Sequence, residues 1–179
     1  ANGRVDVSPI AANLYDGSLS GALSLQAAAT PVVTVKQSLT GINVGPLLKD
    51  AANFETLEGK GNVSVDVSGQ GATVSAIKKA LNGSAAVKLA DGAIKGINIA
   101  ASIRDAKAKL GALKGEKSQA ASQTEKTDFS ELSATFSIRN GVARNSDLAG
   151  KSPLLRLGGE GDIDIGNEKL DYLVKATVV

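Results

Sequence analysis

The sequence predicts a mainly β fold of the α+β kind, an extended, curled antiparallel sheet built from repeated hairpins and carrying two or three short helices. Three observations predict it. A hairpin phrase recurs, as Leu14-Tyr15-Asp16-Gly17-Ser18-Leu19-Ser20-Gly21, as Leu89-Ala90-Asp91-Gly92-Ala93-Ile94-Lys95-Gly96, and more loosely as Ile138-Arg139-Asn140-Gly141-Val142. Asp-Gly and Asn-Gly between alternating runs take the positive φ of tight turns at least cost. A second phrase, Leu57-Glu58-Gly59-Lys60-Gly61-Asn62-Val63-Ser64-Val65, returns as Leu157-Gly158-Gly159-Glu160-Gly161-Asp162-Ile163-Asp164-Ile165, a Gly-x-Gly bend entering a strand with one apolar face. Finally, the 42% hydrophobic content holds only two Tyr and three Phe, so aliphatic side chains suited to thin sheets carry the apolar mass. Such repetition favours an extended surface over a single catalytic pocket.

Taken in order, residues 3–40 read as a meander of strands. Val5 and Val7 alternate, Ile10–Tyr15 and Leu19–Leu25 flank the first Asp-Gly turn, and Val33 and Val35 follow Pro31. Residues 43–52 read as a short helix, with Pro46 in the first turn, where a missing N–H costs nothing. The strand Asn62–Val67 places Val63, Val65 and Val67 on one face, and Ser64 and Asp66 on the other. Val74, Ile77 and Leu81 then share one side of a helix over 73–81, stopped by Asn82-Gly83, with Lys78 and Lys79 on its wet face. After a hairpin over Ala85–Ile97, the residues Ile99, Ile103, Ala106, Leu110 and Leu113 recur at helical spacing behind Asn98 as N-cap. Residues 115–127 have no apolar period and predict a flexible polar loop. Strands resume at Leu132 and continue as Ala134–Ile138, Val142–Arg144, Leu154–Leu157, Asp162–Ile165 and Leu170–Val178.

The composition excludes more chemistry than it supports. Basic and acidic residues nearly balance, 20 against 18, leaving no strong field to draw nucleic acid or an anionic membrane surface. With no Cys there are no disulfides or thiolate sites, and with no His the commonest general base and metal ligand is missing. The serines therefore lack a base, and no Ser-x-x-Lys phrase stands at a helix start. Asp162 and Asp164 straddle Ile163, an arrangement that reads as a solvated strand face, with a weak calcium site as the alternative. Gly158-Gly159-Glu160-Gly161 is not followed by a helix that would cradle phosphate, so a β-bulge or strand bend is expected. Lys107, Lys109, Lys114 and Lys117 are interspersed with Asp105 and Glu116 and read as a solvated helix face. No enzyme activity, metal or cofactor is expected. The chain has no Met, starts at Ala1 within a strand pattern and contains no run of 18 apolar residues. It is read as a single β-rich module over 1–179, cut from a longer protein. The one-sided apolar strands need helices, a second sheet or a ligand to cover them, which leaves an open apolar groove and a self-packed sandwich as alternatives.

Several stretches resemble the AsmA family. They are Thr127-Asp128-Phe129-Ser130-Glu131-Leu132 through Ile138-Arg139-Asn140-Gly141-Val142, Lys151-Ser152-Pro153-Leu154-Leu155-Arg156-Leu157 through Glu160-Gly161 to Leu170-Asp171-Tyr172, and Leu81-Asn82-Gly83-Ser84-Ala85 through Asn98. The Leu14-Tyr15-Asp16-Gly17 turn and Gly45-Pro46-Leu47-Leu48 look like the family's preceding segment. The long polar insert at 115–127 is a departure from the family's pattern.

The resemblance implies a Gram-negative periplasmic module, anchored to the inner membrane through a segment outside this chain, similar to bridge-like lipid-transfer proteins and linked to outer-membrane biogenesis. It offers no catalytic residues. The implied lipid-facing positions are Val63, Val65, Val67, Phe136, Ile138, Ile163, Ile165, Tyr172 and Val174, and the implied partner is a phospholipid or other envelope lipid. The alternative is a scaffold that binds envelope proteins and assists outer-membrane protein assembly through an exposed strand edge.

Overall fold

The computed structural model describes residues 3–95, 126–153 and 155–179. The strands are β1 (Arg4–Leu14), β2 (Gly17–Gln26), β3 (Val32–Asn43), β4 (Leu57–Gln70), β5 (Asn82–Lys95), β6 (Lys126–Arg139), β7 (Val142–Lys151), β8 (Leu155–Asp164) and β9 (Lys169–Val178). Helix α1 (Val44–Ala52) links β3 to β4, and α2 (Val74–Lys79) links β4 to β5. Each strand pairs antiparallel with the next, in the order β1-β2-β3-β4-β5-β6-β7-β8-β9. The result is one curled sheet whose two edges do not meet, as the sequence predicts.

The turns follow the φ requirement, with two departures. Asn140 and Gly141, at φ 47° and 76°, make the β6–β7 hairpin as expected. In the β1–β2 hairpin the positive-φ pair is Tyr15 and Asp16, at 52° and 65°, and Gly17 already opens β2. A Cβ on Gly17 would lie 2.4 Å from the Thr40 carbonyl oxygen, so close approach of β3 requires glycine there. Asp91-Gly92 makes no hairpin. Strand β5 runs straight through it, paired with β4 on one side and β6 on the other. Folding 85–97 on itself would forfeit both ladders. The positive φ of Asp91, 48°, instead serves a bulge, in which Asp91 and Gly92 together stand opposite Gly59. The two Gly-x-Gly phrases likewise lie within continuous strands, β4 and β8, rather than at bends before them.

Both described helices start within one residue of the expected positions, and a side-chain cap fixes each start. The Asn43 side chain accepts from Gly45 N–H at 3.3 Å to start α1, and the Thr73 hydroxyl accepts from Ala76 N–H at 3.2 Å to start α2. Helix α2 is shorter than the expected 73–81. Asn82 and Gly83 open β5 instead of stopping the helix, and the Asn82 side-chain oxygen accepts from Asn140 N–H at 3.1 Å. The expected loop over 115–127 is corrected at its end, because Lys126 and Thr127 pair with Lys95 and Ile94 and Thr127 is buried. The rest of that loop, the helix expected over Ile99–Leu113, the hairpin end at Gly96–Ile97 and Leu154 fall outside the described residues. Among the described residues no helix is long and apolar enough to cross a membrane.

Register carries the alternation across the whole sheet. On one face Val65 lies beside Gln37 of β3 and Ala85 of β5, and Ala85 lies beside Phe136 of β6. The opposite face presents Lys36 against Asp66, 3.3 Å apart, and Arg144 against Asp162, 2.9 Å apart. These exposed pairs add little energy, but they specify which face is wet.

Glycines in the sheet differ sharply in what they permit. A Cβ on Gly161 would sit 2.3 Å from the Asp171 carbonyl oxygen, whereas one on Gly158 meets nothing nearer than 3.8 Å. Gly161→Ala is therefore expected to destabilise the fold by roughly 2 to 3 kcal/mol, and Gly158→Ala to be neutral within about 0.5 kcal/mol. Thermal melts of the two variants check this.

Candidate functional site

The apolar face of the sheet is the candidate site, and topology explains its shape. Strand β4 leaves α1 at one end and reaches α2 at the other, so the helices stand at opposite ends of the strands. At the α1 end Leu39, Ile42, Val44, Leu89, Phe129 and Leu132 form a buried cluster, with Leu47 and Leu48 of α1 packed on it. At the α2 end Val67, Ile138 and Ala143 form a second, with Leu81, Ile163 and Ile165 against it. The sheet curls far enough there for Lys78 of α2 to pair with Glu168 of the β8–β9 turn at 3.5 Å. Between the two helices the apolar face extends across the strands, from β1 to β9.

The apolar residues continue to both open edges. Val5 and Val7 on β1 are 57% and 44% exposed, and Leu170 and Val174 on β9 are 72% and 50% exposed. Single exposed aliphatics are ordinary, but rows of them terminating one continuous apolar face are not.

The structure brings most of the predicted lipid-facing residues together on this face. Val67 and Ile138 are buried in the α2-end cluster, where Val65, Phe136, Ile163 and Ile165 pack half-buried, and half-buried Val63 packs on the α1-end cluster. Val174 lies on the edge strand. Tyr172 is more constrained than alternation implies, because its hydroxyl donates to the Asn145 side-chain oxygen. Sequence reasoning passed over Leu39, Leu89, Leu132 and Leu157, all buried on the same face. The cross-strand neighbours of the named valines would have found them, but only once strand order was known.

Polar side chains interrupt the face, Gln37 and Asn145 among them. Gln37 lies against Gly21, and its Oε1 has no hydrogen-bond partner. Asn145, 2% exposed, is fully engaged: its Nδ2 donates to the Thr135 carbonyl at 2.8 Å and to Asp147 Oδ1 at 2.6 Å. Asp147 also accepts from the Thr135 hydroxyl at 2.5 Å and its N–H at 2.8 Å. This network clamps a bulge at Ser146-Asp147 of β7, opposite Glu160 of β8. The Tyr172 ring completes it, lying 3.0 Å from where a Gly159 Cβ would be and 2.9 Å from a Gly161 Cβ. The glycines of the second Gly-x-Gly phrase thus seat an aromatic ring, which replaces the side-chain contacts that they lack.

Several charged groups away from this face are paired locally. A polar hollow of about 600 Å³ beside the α1 N-terminus is lined by Asp16, Lys49, Asp50, Glu55, Glu58 and Lys95. Lys49 pairs with Glu55 at 3.0 Å, Lys95 with Glu58, and the Tyr15 hydroxyl donates to Asp50 at 2.9 Å. Asp162 is gripped by Arg144, and Asp164 accepts from Asn167, so both of the carboxylates weighed as a calcium site have partners on their own surface. The hydrogen bond from Arg144 holds the Asp162 carboxyl below its usual range, and that from Lys151 does the same for Glu131.

The network generates two predictions. Tyr172→Phe leaves the buried Asn145 oxygen unpaired and is expected to cost roughly 1 to 3 kcal/mol in a denaturant melt, without loss of secondary structure. The hydrogen bond from the Thr135 hydroxyl, aided by its N–H, holds the Asp147 carboxyl below the usual carboxylate range. Its contribution is therefore complete above the unfolded pKa of about 4 and lost as pH falls through the lower folded value. Asp147→Asn is expected to flatten the decline in melting temperature below about pH 4, relative to the parent chain.

Comparison with known proteins identifies a family. The AsmA family matches residues 1–148. Protein AsmA of Escherichia coli (strain K12) is 26% identical over 180 residues, spanning 99% of this chain but only 28% of that protein's length. No solved structure matches the chain. On the extent of the family match, the chain belongs to the AsmA family.

Proposed function

We propose that this chain is a non-catalytic lipid-handling module of the Gram-negative envelope, which shelters acyl chains of a phospholipid or other envelope lipid against the apolar face of its sheet. Membership of the AsmA family supports a role in the envelope and in outer-membrane biogenesis. The observation that carries the finer reading is the apolar face itself, which runs through all nine described strands and leaves Val5, Val7, Leu170 and Val174 exposed. A trough through which acyl chains enter and leave needs apolar mouths.

The energetics are those of hydrophobic transfer. Each methylene removed from water contributes about 0.8 kcal/mol, so an acyl chain lying across several strands is held firmly without any specific polar contact. The absence of His and Cys, and the pairing of carboxylates on the wet face, fit a surface that binds rather than reacts. In this reading the body of the protein stands in the periplasm, and membrane contact is made by segments outside this chain.

The test separates trough from core by where the charge is placed. Leu170→Asp and Val7→Asp alter exposed positions and are expected to leave the melt unchanged while reducing photo-crosslinking to phospholipid at least several-fold. Val65→Asp, in the α2-end cluster, is expected to abolish it, whereas Ser64→Asp on the opposite face retains it. Phospholipid crosslinking that is absent in the parent chain, or unchanged in Leu170→Asp and Val7→Asp, would overturn the reading.

A further inference from the structure

We propose that Gln37 is a polar station within the apolar face, which selects an acyl chain bearing a hydroxyl group over an unsubstituted one. The inference rests on the reading of this face as a lipid-binding surface and names the class of chain that it favours.

Gln37 occupies the centre of an otherwise aliphatic block. Along β3 its neighbours on the same face are Val35 and Leu39. Register places Leu23 and Val67 beside Val35, Leu19 and Val63 beside Leu39, and Gly21 and Val65 beside Gln37 itself. Leu39 and Val63 belong to the α1-end cluster, and Val35, Val65 and Val67 to the α2-end cluster, so the amide stands where the two meet. No side chain in this block carries a hydrogen-bond donor, and a polar group in such surroundings is unfavourable unless something satisfies it.

The amide is poorly satisfied. Its Oε1 is shut off from solvent and accepts no hydrogen bond, and its Nε2 reaches only the Ala22 carbonyl, at 3.5 Å, the outer limit of such a bond. Exchanging the two amide atoms does not help, because oxygen would then face the Ala22 carbonyl oxygen. Shape holds the group in this pose: it lies over Gly21, where a Cβ would come within 2.6 Å of Oε1. The side chain is only half-buried, and a pose with one orphan acceptor and one stretched donor is readily exchanged for a better one. What answers the amide is set by its chemistry. The methylenes of a plain acyl chain leave Oε1 unpaired, and an ester carbonyl only accepts. A charged headgroup would have to shed its water among valines and leucines. A hydroxyl does both, giving its proton to Oε1 and accepting from the second N–H of Nε2, while the methylenes on either side of it lie on the two clusters.

Two matched pairs of fatty acids test this by displacing a fluorescent fatty acid from the chain: 3-hydroxymyristate against myristate, and 12-hydroxystearate against stearate. The parent is expected to bind the hydroxylated member of at least one pair about tenfold more tightly, and the pair that shows it locates the hydroxyl along the acyl chain. Gln37→Met keeps the length of the side chain and removes both polar ends. It is expected to bring each pair to within about twofold, and to melt no lower than the parent, since it deletes an unpaired acceptor. Leu23→Met, a volume-conserving change in the same block, should retain the parent's preference. Equal binding within both pairs by the parent, or a preference that survives in Gln37→Met, would overturn the proposal and leave the lipid reading standing. Failure of the probe and of all the acids to bind would overturn that reading, and this proposal with it.

Discussion

Phase is the constraint on which the rest of this structure depends: every strand must present its apolar residues to the same side as both neighbours, through eight successive antiparallel ladders. A one-residue slip in any ladder would turn the next strand's aliphatic row into water and its serines and lysines onto the apolar face. The sheet nevertheless contains register shifts, at Val7/Ile10, Leu39/Ile42, Glu58/Lys60 and Asn145/Leu148 among them. At three of these the residues facing the apolar side lie three apart instead of two, so the bulge absorbs the extra residue and the phase resumes unchanged. The spacing of Phe129 and Leu132, both buried, has the same form beside the Asp91-Gly92 bulge.

Holding such bulges in place requires local chemistry, and the chain uses a different device at each. Asn62 accepts from Gly41 N–H at 3.0 Å, across the bulge in β3. Asp91 takes a positive φ opposite Gly59, and Gly92 beside it lacks the Cβ that would run into the Phe129 ring. Asn145, Asp147, Thr135 and Tyr172 tie β6, β7 and β9 together across the bulge in β7. A buried polar network of this kind is tolerable in an apolar face only when its members are satisfied, and Asn145 is. The second Gly-x-Gly phrase is thus a seat for the Tyr172 ring, and Gly92 in the β5 bulge is one for Phe129, in a chain with few aromatics to place.

The placement of the helices follows from the same arithmetic. Helices α1 and α2 stand at opposite ends of the strands, and among the described residues the aliphatic rows reach both outer strands. The first and last described strands differ: β1 is bulged and contains Pro9, while β9 keeps unbroken register with β8.

Local residue chemistry by itself determined the β class, the Asn140-Gly141 turn, the starts of α1 and α2, and which side of each strand is apolar. Each of these depends on residues within about one turn or one strand of one another: a side-chain cap, a φ preference or a period of two. Val63, Val65, Val67, Phe136, Ile138 and Ile163 were legible as strand-face residues for that reason. Tertiary structure decided what local pattern left degenerate. Asp91-Gly92 has the signature of a hairpin and became a bulge because β4 and β6 both offered full ladders to β5, a competition invisible from residues 85–97 alone. Tyr172 alternates in step with its strand, yet its hydroxyl is committed to Asn145, 27 residues earlier in the chain. Strand order, the placement of the helices at the two rims and the inequality of the two edges are long-range outcomes, fixed by which ladders form together rather than by any one segment's preference.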